Sequence, residues 1–320
     1  MIKKHIHWLL PGQYNDLKSL EQNLFASIRL RSFVSSLNNN FYTFSFGENM
    51  PLNTSILVIG KIGSFDIEKR GVSWLNQIKM AHFSECKIIL DYTDNHIMLN
   101  NPMTLFYKSI LPFITYAVTP SEQMSLILSN FWKGSIYTIQ DSIDIGIVKW
   151  NDYESKSLLW FGHSTNIQFL LNFLQRYHSK ISDYTLKIIT NQDGINYFTK
   201  NNNTDIHVTT KLWSLDTFIN ESSTCDICII PSDKENLKKQ GAGHNRLITS
   251  LALGFPTIAT MLPSYEPFKD YFFDLDSLEL SSALTNRKMF KRKVILAQKK
   301  IVPLFLPKVI SRKWLKVFNI

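Results

Sequence analysis

One stretch of the chain crowds positive charge and glycine together: Lys238-Lys239-Gln240-Gly241-Ala242-Gly243-His244-Asn245-Arg246. An apolar run from Cys225 to Pro231 leads into it, and a helix is expected to open at His244-Asn245-Arg246. Peptide N–H groups at a helix start lack partners and carry the positive end of the macrodipole, while glycines admit close approach of the backbone to an anion. Lys238, Lys239 and Arg246 would add full charges. The combination predicts a site for a diphosphate. A cation in the first helical turn opposes the dipole, and a bound anion would remove that conflict at Arg246. A second turn, Gly162-His163-Ser164-Thr165-Asn166, also joins a strand to a helix, and Gly162 and Ser164 are candidates to hold the same anion from another side.

Acid and imidazole come together at Asp91-Tyr92-Thr93-Asp94-Asn95-His96, just past a buried strand. A hydroxyl is too weak an acid to attack unaided, so a carboxylate or imidazole is the natural general base for such a nucleophile. Asp94 and His96 supply both types, and Asp16, after the first strand, is a further candidate. A capping or turn role for Asp94 is the alternative. The spacing matches no metal-ligand motif, and no metal is expected. Cys225 and Cys228 have Cys-x-x-Cys spacing but fall inside a strand without a second ligand pair, which makes them core residues. His5 and His7 share one face of a strand.

The elements that must position these groups alternate. Strands are expected at His5 to Leu10, Ser55 to Ile59, Lys87 to Asp91, Tyr116 to Thr119 and Ser135 to Ile139, with helices at Ser19 to Leu37, Val72 to Phe83, Met103 to Leu111 and Ser121 to Phe131. A second series has strands at Ser157 to Gly162, Thr185 to Thr190, Asp205 to Val208, the run ending at Pro231, and Thr257 to Thr260, with helices at Thr165 to Tyr177 and Thr217 to Ile219. Strands separated by helices imply right-handed crossovers and mainly parallel sheets. At 320 residues the chain should form two such domains. The expected bounds are 1–148, 149–295, and a helical tail over 296–320, with a linker near Gly146 to Lys156. Asn38-Asn39-Asn40 and Asn201-Asn202-Asn203 read as loop tips.

The pattern of apolar strand, Pro-Ser, basic glycine-containing loop, helix, Ala252-Leu253-Gly254-Phe255-Pro256 and apolar strand resembles the nucleotide-sugar half of GT-B glycosyltransferases. The resemblance is specific from Cys225 to Phe268 and extends to the strand, Ser-Glu, helix, strand and Asp141-x-x-Asp144 order before the linker. It implies an α/β fold of two doubly wound Rossmann-like domains facing a crevice, with the C-terminal helix returning to the first domain through Trp314 to Phe318. It also implies a donor site made of Gly162, Ser164, Lys238, Lys239, Gly241, Gly243, His244, Asn245, Arg246, Thr249, Ser264, Tyr265 and Glu266, with Glu266 on sugar hydroxyls and Tyr265 stacked on a base or ring. Many retaining members carry two glutamates where this chain has Gly241 and Thr249, so the stereochemical outcome is not implied. The activity implied is sugar transfer from a nucleoside diphosphate sugar to a hydroxyl on a glycan or lipid-linked acceptor, in surface polysaccharide or glycolipid assembly. A nucleotide-sugar 2-epimerase of the same fold and a noncatalytic GT-B subunit are the alternatives.

Composition bounds the setting. An apolar fraction of 44% with 19% charged residues describes a folded globular chain, and no apolar stretch approaches the ~20 residues needed to cross a bilayer. Three cysteines are too few for a disulfide framework, which makes a cytoplasmic, reducing compartment the expectation. The net charge of +9 suits anionic partners. A nucleotide sugar and an anionic membrane surface are expected, nucleic acid is not, and no cofactor beyond the sugar donor is implied. Arg287, Lys288, Lys291, Arg292, Lys293, Lys299 and Lys300, interleaved with Met289, Phe290, Val294, Ile295 and Leu296, would place an amphipathic basic helix at that surface, the alternative being a helix packed on its own protein with a solvated basic face.

Overall fold

A computed structural model of the chain describes residues 3–37, 40–63, 67–150, 155–276, 280, 284 and 286–320. The chain forms two compact units, the first built from residues 1–144, 236–244 and 305–320, the second from 145–235 and 245–304. The expected bounds at 148 and 295 differ from these in one respect that matters later. Residues Asn236–His244, expected in the donor domain, pack with the first unit. The middle of the expected linker, 151–154, and the Asn38-Asn39 loop tip lie outside the described residues.

The first unit has strands β1 Lys4–Leu9, β2 Gln13–Tyr14, β3 Tyr42–Gly47, β4 Ile56–Ile59, β5 Lys87–Asp91, β6 Tyr116–Thr119 and β7 Ser135–Thr138, in the order β2-β3-β1-β4-β5-β6-β7. All neighbours are parallel except β2 with β3. Every residue of β4 is buried, as are four of the five in β5, because layers cover both faces of the sheet. One layer comes from the helices Ile67–Phe83, Pro102–Ile110 and Glu122–Ser129, with Trp74, Ile78, Phe106, Tyr107 and Met124 packed on Leu57 and Ile59. Ser121 caps the last of these by accepting from Met124 N, as its position predicts. The other layer includes the terminal helix Pro307–Asn319, where Trp314 meets Trp8 edge-on at 5.1 Å. The tail thus divides: Phe305–Ile320 belongs to the first unit, and the preceding helix, Arg287–Lys300, to the second.

The long helix expected over Ser19 to Leu37 is interrupted. Asp16 caps a short helix, Leu17–Glu21, by accepting from Ser19 N at 2.8 Å, and a π-helix follows at Ile28–Phe33. The wider π turn aims Arg29 and Arg31 inward, where both are buried. β3 is absent from the expected strands because only its two end residues are buried, so it lacks a continuous apolar run.

The second unit has strands β8 Ser157–Phe161, β9 Thr185–Thr190, β10 Val208–Leu212, β11 Ile227–Ile230, β12 Thr257–Ala259 and β13 Phe273–Asp274, all parallel in the order β10-β9-β8-β11-β12-β13. The order reverses between β8 and β11. Helices Ile167–Ile181, Gln192–Asn201, Leu215–Ser222 and Asn245–Ala252 connect the strands. The helix Gln192–Asn201 is not among the expected helices and takes in Asn201 of the expected loop tip, and β10 begins where the expected strand ended. Trp160, Leu170, Leu174 and Ile229 share a core with Phe290 of the Arg287–Lys300 helix.

Gly254 terminates the Asn245–Ala252 helix at φ +83°, a left-handed conformation that costs a side-chain-bearing residue ~1–2 kcal/mol. A Cβ there would also stand 2.8 Å from the Val148 carbonyl oxygen and 3.2 Å from that of Lys149. This is the physical content of the Ala-x-Gly-x-Pro run. Gly254→Ala is therefore expected to lose at least about 2 kcal/mol of stability, measured as a drop in urea midpoint with unchanged slope; a variant as stable as the parent would contradict the account.

Candidate functional site

Two clusters of candidate side chains form, one in each unit. In the second unit the clustering is at the switch between β8 and β11, the position at which open parallel sheets gather ligands. β8 ends in Gly162, β11 runs into Pro231-Ser232, and Arg246 stands in the first turn of the helix Asn245–Ala252. A Cβ on Gly162 would meet Arg246 Nη1 at 3.4 Å and the Trp160 ring at 3.3 Å, so the glycine leaves the guanidinium its space. Nη1 is buried with no hydrogen-bond partner, as are the hydroxyls of Ser232 and Ser264. Such atoms are costly unless something accepts from or donates to them. Ser164, by contrast, is tied to its neighbour: its N–H donates to Asn191 Oδ1 at 2.8 Å, and Asn191 Nδ2 donates to Ser164 Oγ at 3.3 Å. Asn245 Oδ1 accepts from Arg246 N at 2.7 Å.

Other expected donor residues have different surroundings. Tyr265 is 1% exposed and meets Phe272 edge-on, so its ring packs in the core and has no face to offer a base or sugar. Glu266 is exposed and pairs with Lys269 one helical turn on. Thr249 is buried in the helix behind Arg246. Cys228 is a core residue as expected, its thiol pushed up by burial against the partial relief of the Arg246 charge.

The basic loop is fastened to the first unit. Asn95 Nδ2 donates to Leu237 O at 3.0 Å, and Ser121 Oγ donates to Gly241 O at 3.2 Å. Gly241 was expected to admit an anion, but a Cβ there would meet Met124 Cε at 2.7 Å and Ile127 Cδ1 at 3.1 Å. Its smallness serves packing. Gly243 likewise lies beside Asp141 Oδ2 and Pro120, at 3.1 and 3.4 Å from an added Cβ. His244 is 5% exposed, with its ring edge-on to Phe305 at 5.1 Å. Lys238 and Lys239 thereby bring their charge to the loop after β5.

That loop carries Asp94 and His96 at the carboxyl edge of the first sheet. Asp94 Oδ2 pairs with Lys61 Nζ at 2.5 Å and stands 3.9 Å from His96 Nε2. Burial by itself would raise the Asp94 pKa, but Lys61, His96 and Lys239 together hold it down to about 2. Burial lowers His96 to about 4, with Lys61 and Lys238 adding to the fall and Asp94 opposing it. The His96 ring lies parallel to Tyr107 at 5.5 Å, and its backbone N–H donates to Tyr92 Oη at 2.8 Å. At neutral pH the site therefore holds a carboxylate and an uncharged imidazole. Asp16 is taken up by its helix cap and is exposed. Sequence reasoning missed Lys61, since a single lysine after a strand has no local signature.

Beneath the site, Arg31 is fully buried and forms a fork. Its Nε donates to Asp91 Oδ2 at 2.8 Å, and Nη1 to Asp141 Oδ1 at 3.0 Å and Ile139 O at 2.6 Å. Among the described residues no group of three or more His, Cys, Asp or Glu is placed to hold a metal ion.

No protein-family model matches the sequence, and no curated protein matches it by sequence. Solved structures do match in fold. An alpha-glucosyltransferase in complex with UDP-glucose and DNA superposes with a TM-score of 0.66 at 10% identity, over 100% of each chain. The lipopolysaccharide outer core galactosyltransferase WaaB gives 0.53 at 8% identity, over 98% of this chain and 99% of its own. TarM gives 0.61 at 14% identity over 83% of this chain, which spans only 55% of TarM's length. The chain has the GT-B fold.

Three histidines are held uncharged by burial: His7 and His96 at about 4, and His244 at about 3, where Lys313 and Arg31 add to the effect. An unfolded histidine protonates near 6.5, so between that pH and about 4 the unfolded chain takes up protons that the folded chain does not. Stability is accordingly expected to be full above pH 6.5 and to fall toward pH 4, by about 3 kcal/mol for each histidine. Urea midpoints across this range check it. His7→Leu should remove roughly a third of the slope, and a flat profile would refute the assignment.

Proposed function

We propose that the chain is a glycosyltransferase, moving a sugar from a nucleoside diphosphate sugar to an acceptor hydroxyl. The observation that carries this reading is the buried, unpartnered Arg246 Nη1 beside Gly162 at the switch point of the second sheet. A diphosphate there would accept from the guanidinium and from N–H groups at the helix start, and the Ser232 and Ser264 hydroxyls would complete its shell. The same contacts would strengthen as the bond between the anomeric carbon and the diphosphate oxygen breaks and charge grows on the leaving group. UDP-glucose in a structural neighbour supports a donor of this class.

The first unit supplies the base in this reading. Asp94, held ionised by Lys61, binds a proton too weakly to take one from a hydroxyl. His96 is uncharged, hydrogen-bonded through neither ring nitrogen, and so the better acceptor. No metal and no cofactor beyond the sugar donor enter this reading. Lys238 and Lys239, seated in the first unit, would serve the same reaction by drawing an anionic substrate.

Assembly of a surface polysaccharide or glycolipid is the proposed setting, and the likeness to WaaB supports it. The expectation that nucleic acid plays no part is not carried forward, because a neighbour of the same fold binds DNA; DNA belongs among the acceptors tested. No helix among the described residues is long and apolar enough to cross a membrane. For peripheral association the Arg287–Lys300 helix offers charge more than grease. Phe290, Val294 and Ala297 are packed inside, and Met289 and Ile295 are its large exposed apolar side chains.

Release of nucleoside diphosphate that requires an added acceptor tests the activity, since an epimerase needs none and a noncatalytic subunit gives no turnover. Arg246→Ala should weaken nucleoside diphosphate binding by roughly ten- to a hundredfold, the loss of one charge-assisted contact of ~1.5–3 kcal/mol. Unchanged affinity by calorimetry in the folded variant would rule out the Arg246 site. On anionic vesicles the chain is expected to sediment at low salt and detach as salt rises, with no binding to neutral vesicles; binding indifferent to lipid charge would contradict a purely electrostatic face.

A further inference from the structure

Asp94 Oδ2 faces two nitrogen groups and is closely ion-paired with one of them. Lys61, from the turn after β4, holds it at 2.5 Å, with both side chains about two-fifths exposed. His96 Nε2 stands 3.9 Å from the same oxygen, beyond hydrogen-bond reach, and neither ring nitrogen has a hydrogen-bond partner although the residue is only 8% exposed. The surrounding elements offer no substitute. Tyr107, from the helix Pro102–Ile110, presents its ring face to the imidazole rather than its hydroxyl. Lys238 and Lys239, from the helix Leu237–Gln240, contribute positive charge to His96 and Asp94 respectively. Asp91 and Asp141 are engaged by Arg31.

We propose that Lys61 is a positioning residue that competes with His96 for the Asp94 carboxylate. By holding the carboxylate it denies the imidazole an acidic partner and leaves a ring lone pair available to a substrate hydroxyl. The transfer then balances as follows: the acceptor oxygen forms a bond to the anomeric carbon, its proton passes to a nitrogen of His96, and the electron pair of the broken bond leaves on the diphosphate. This step rests on the glycosyltransferase reading, whereas the competition for Asp94 does not.

Without Lys61, Asp94 would be free to pair with His96 as an imidazolium. Two effects then act together, the loss of a nearby positive charge and the gain of a carboxylate partner, and both raise the affinity of His96 for a proton. The test is an NMR titration of the chain carrying 13C-labelled histidine, with the His96 signal assigned from its loss in His96→Gln. In Lys61→Met the His96 midpoint should rise by at least about one pH unit, a tenfold gain in proton affinity. Lys61→Gln, closer in polarity, should raise it too, while Lys61→Arg should keep it low. Adding Asp94→Asn to Lys61→Met should take away most of the rise.

An unmoved midpoint in Lys61→Met and Lys61→Gln, with the His7 signal still titrating as in the parent, overturns the proposal. So does a rise that survives intact in the double variant. Turnover separates the two readings. If His96 is the base, the acid limb of the rate profile moves up with the NMR midpoint; if the midpoint moves and the limb does not, the base lies elsewhere and the competition for Asp94 stands.

Discussion

The first unit depends on a guanidinium with no access to water. Arg31 projects from a π-helix, and its fork joins the end of β5 through Asp91 to the segment leaving β7 through Ile139 and Asp141. A buried cation survives only when its donors are matched, and removing one side of such a pair strands a charge at a cost of about 3–5 kcal/mol. The constraint reaches outward from there. Asp91 closes the strand that leads into the loop of Asp94 and His96, and Asp141 lies beside Gly243 in the basic loop. Arg29, from the same π-helix, pairs with Asp144 at 2.8 Å, just before the chain enters the second unit. One irregular turn of helix thus ties together the end of β5, the segment leaving β7 and the residue before the second unit.

Charge is divided with some care between the units. In the second, Arg246 is a cation whose buried Nη1 has no protein acceptor, an arrangement suited to an anion that comes and goes. In the first, cations and carboxylates are interleaved: Lys61 with Asp94, Arg31 with Asp91 and Asp141. Such a site controls protonation state more than it attracts charge. Glycine has two meanings at these sites. Gly162 makes room for a guanidinium, whereas Gly241 makes room for Met124 and Ile127.

Much of this was legible in the sequence where burial is uniform. β4, β5, β8 and β11 are nearly continuous apolar runs because both faces of each are covered, and such runs declare themselves without knowledge of the fold. The Ser121 cap and the Gly254 terminus were legible for a local reason, since each is decided within a few residues. β3 and β10 were missed or shifted because they are partly exposed. The π-helix was missed because its cause, two arginines seeking carboxylates more than a hundred or some sixty residues away, is not local. Ownership of the basic loop was illegible for the same reason. It is settled by Asn95, Ser121 and Met124, none of which the loop's own residues announce.

The way the backbone is shared between the units has a consequence for how the molecule comes to be made. The first unit is assembled from three separate lengths of chain, and the last of them supplies Trp314 and Phe318 to a core begun by Ile6 and Trp8. A nascent chain emerging from the ribosome would carry the first sheet with part of one face uncovered until the segment 305–320 had been synthesised. The second unit, apart from the segment lent at 236–244, is complete earlier and can settle first. Contacts between segments far apart in sequence close large loops and form late. The first unit, whose strands precede those of the second, thus completes its core after it, and its exposed apolar face is where a chaperone would find most to hold.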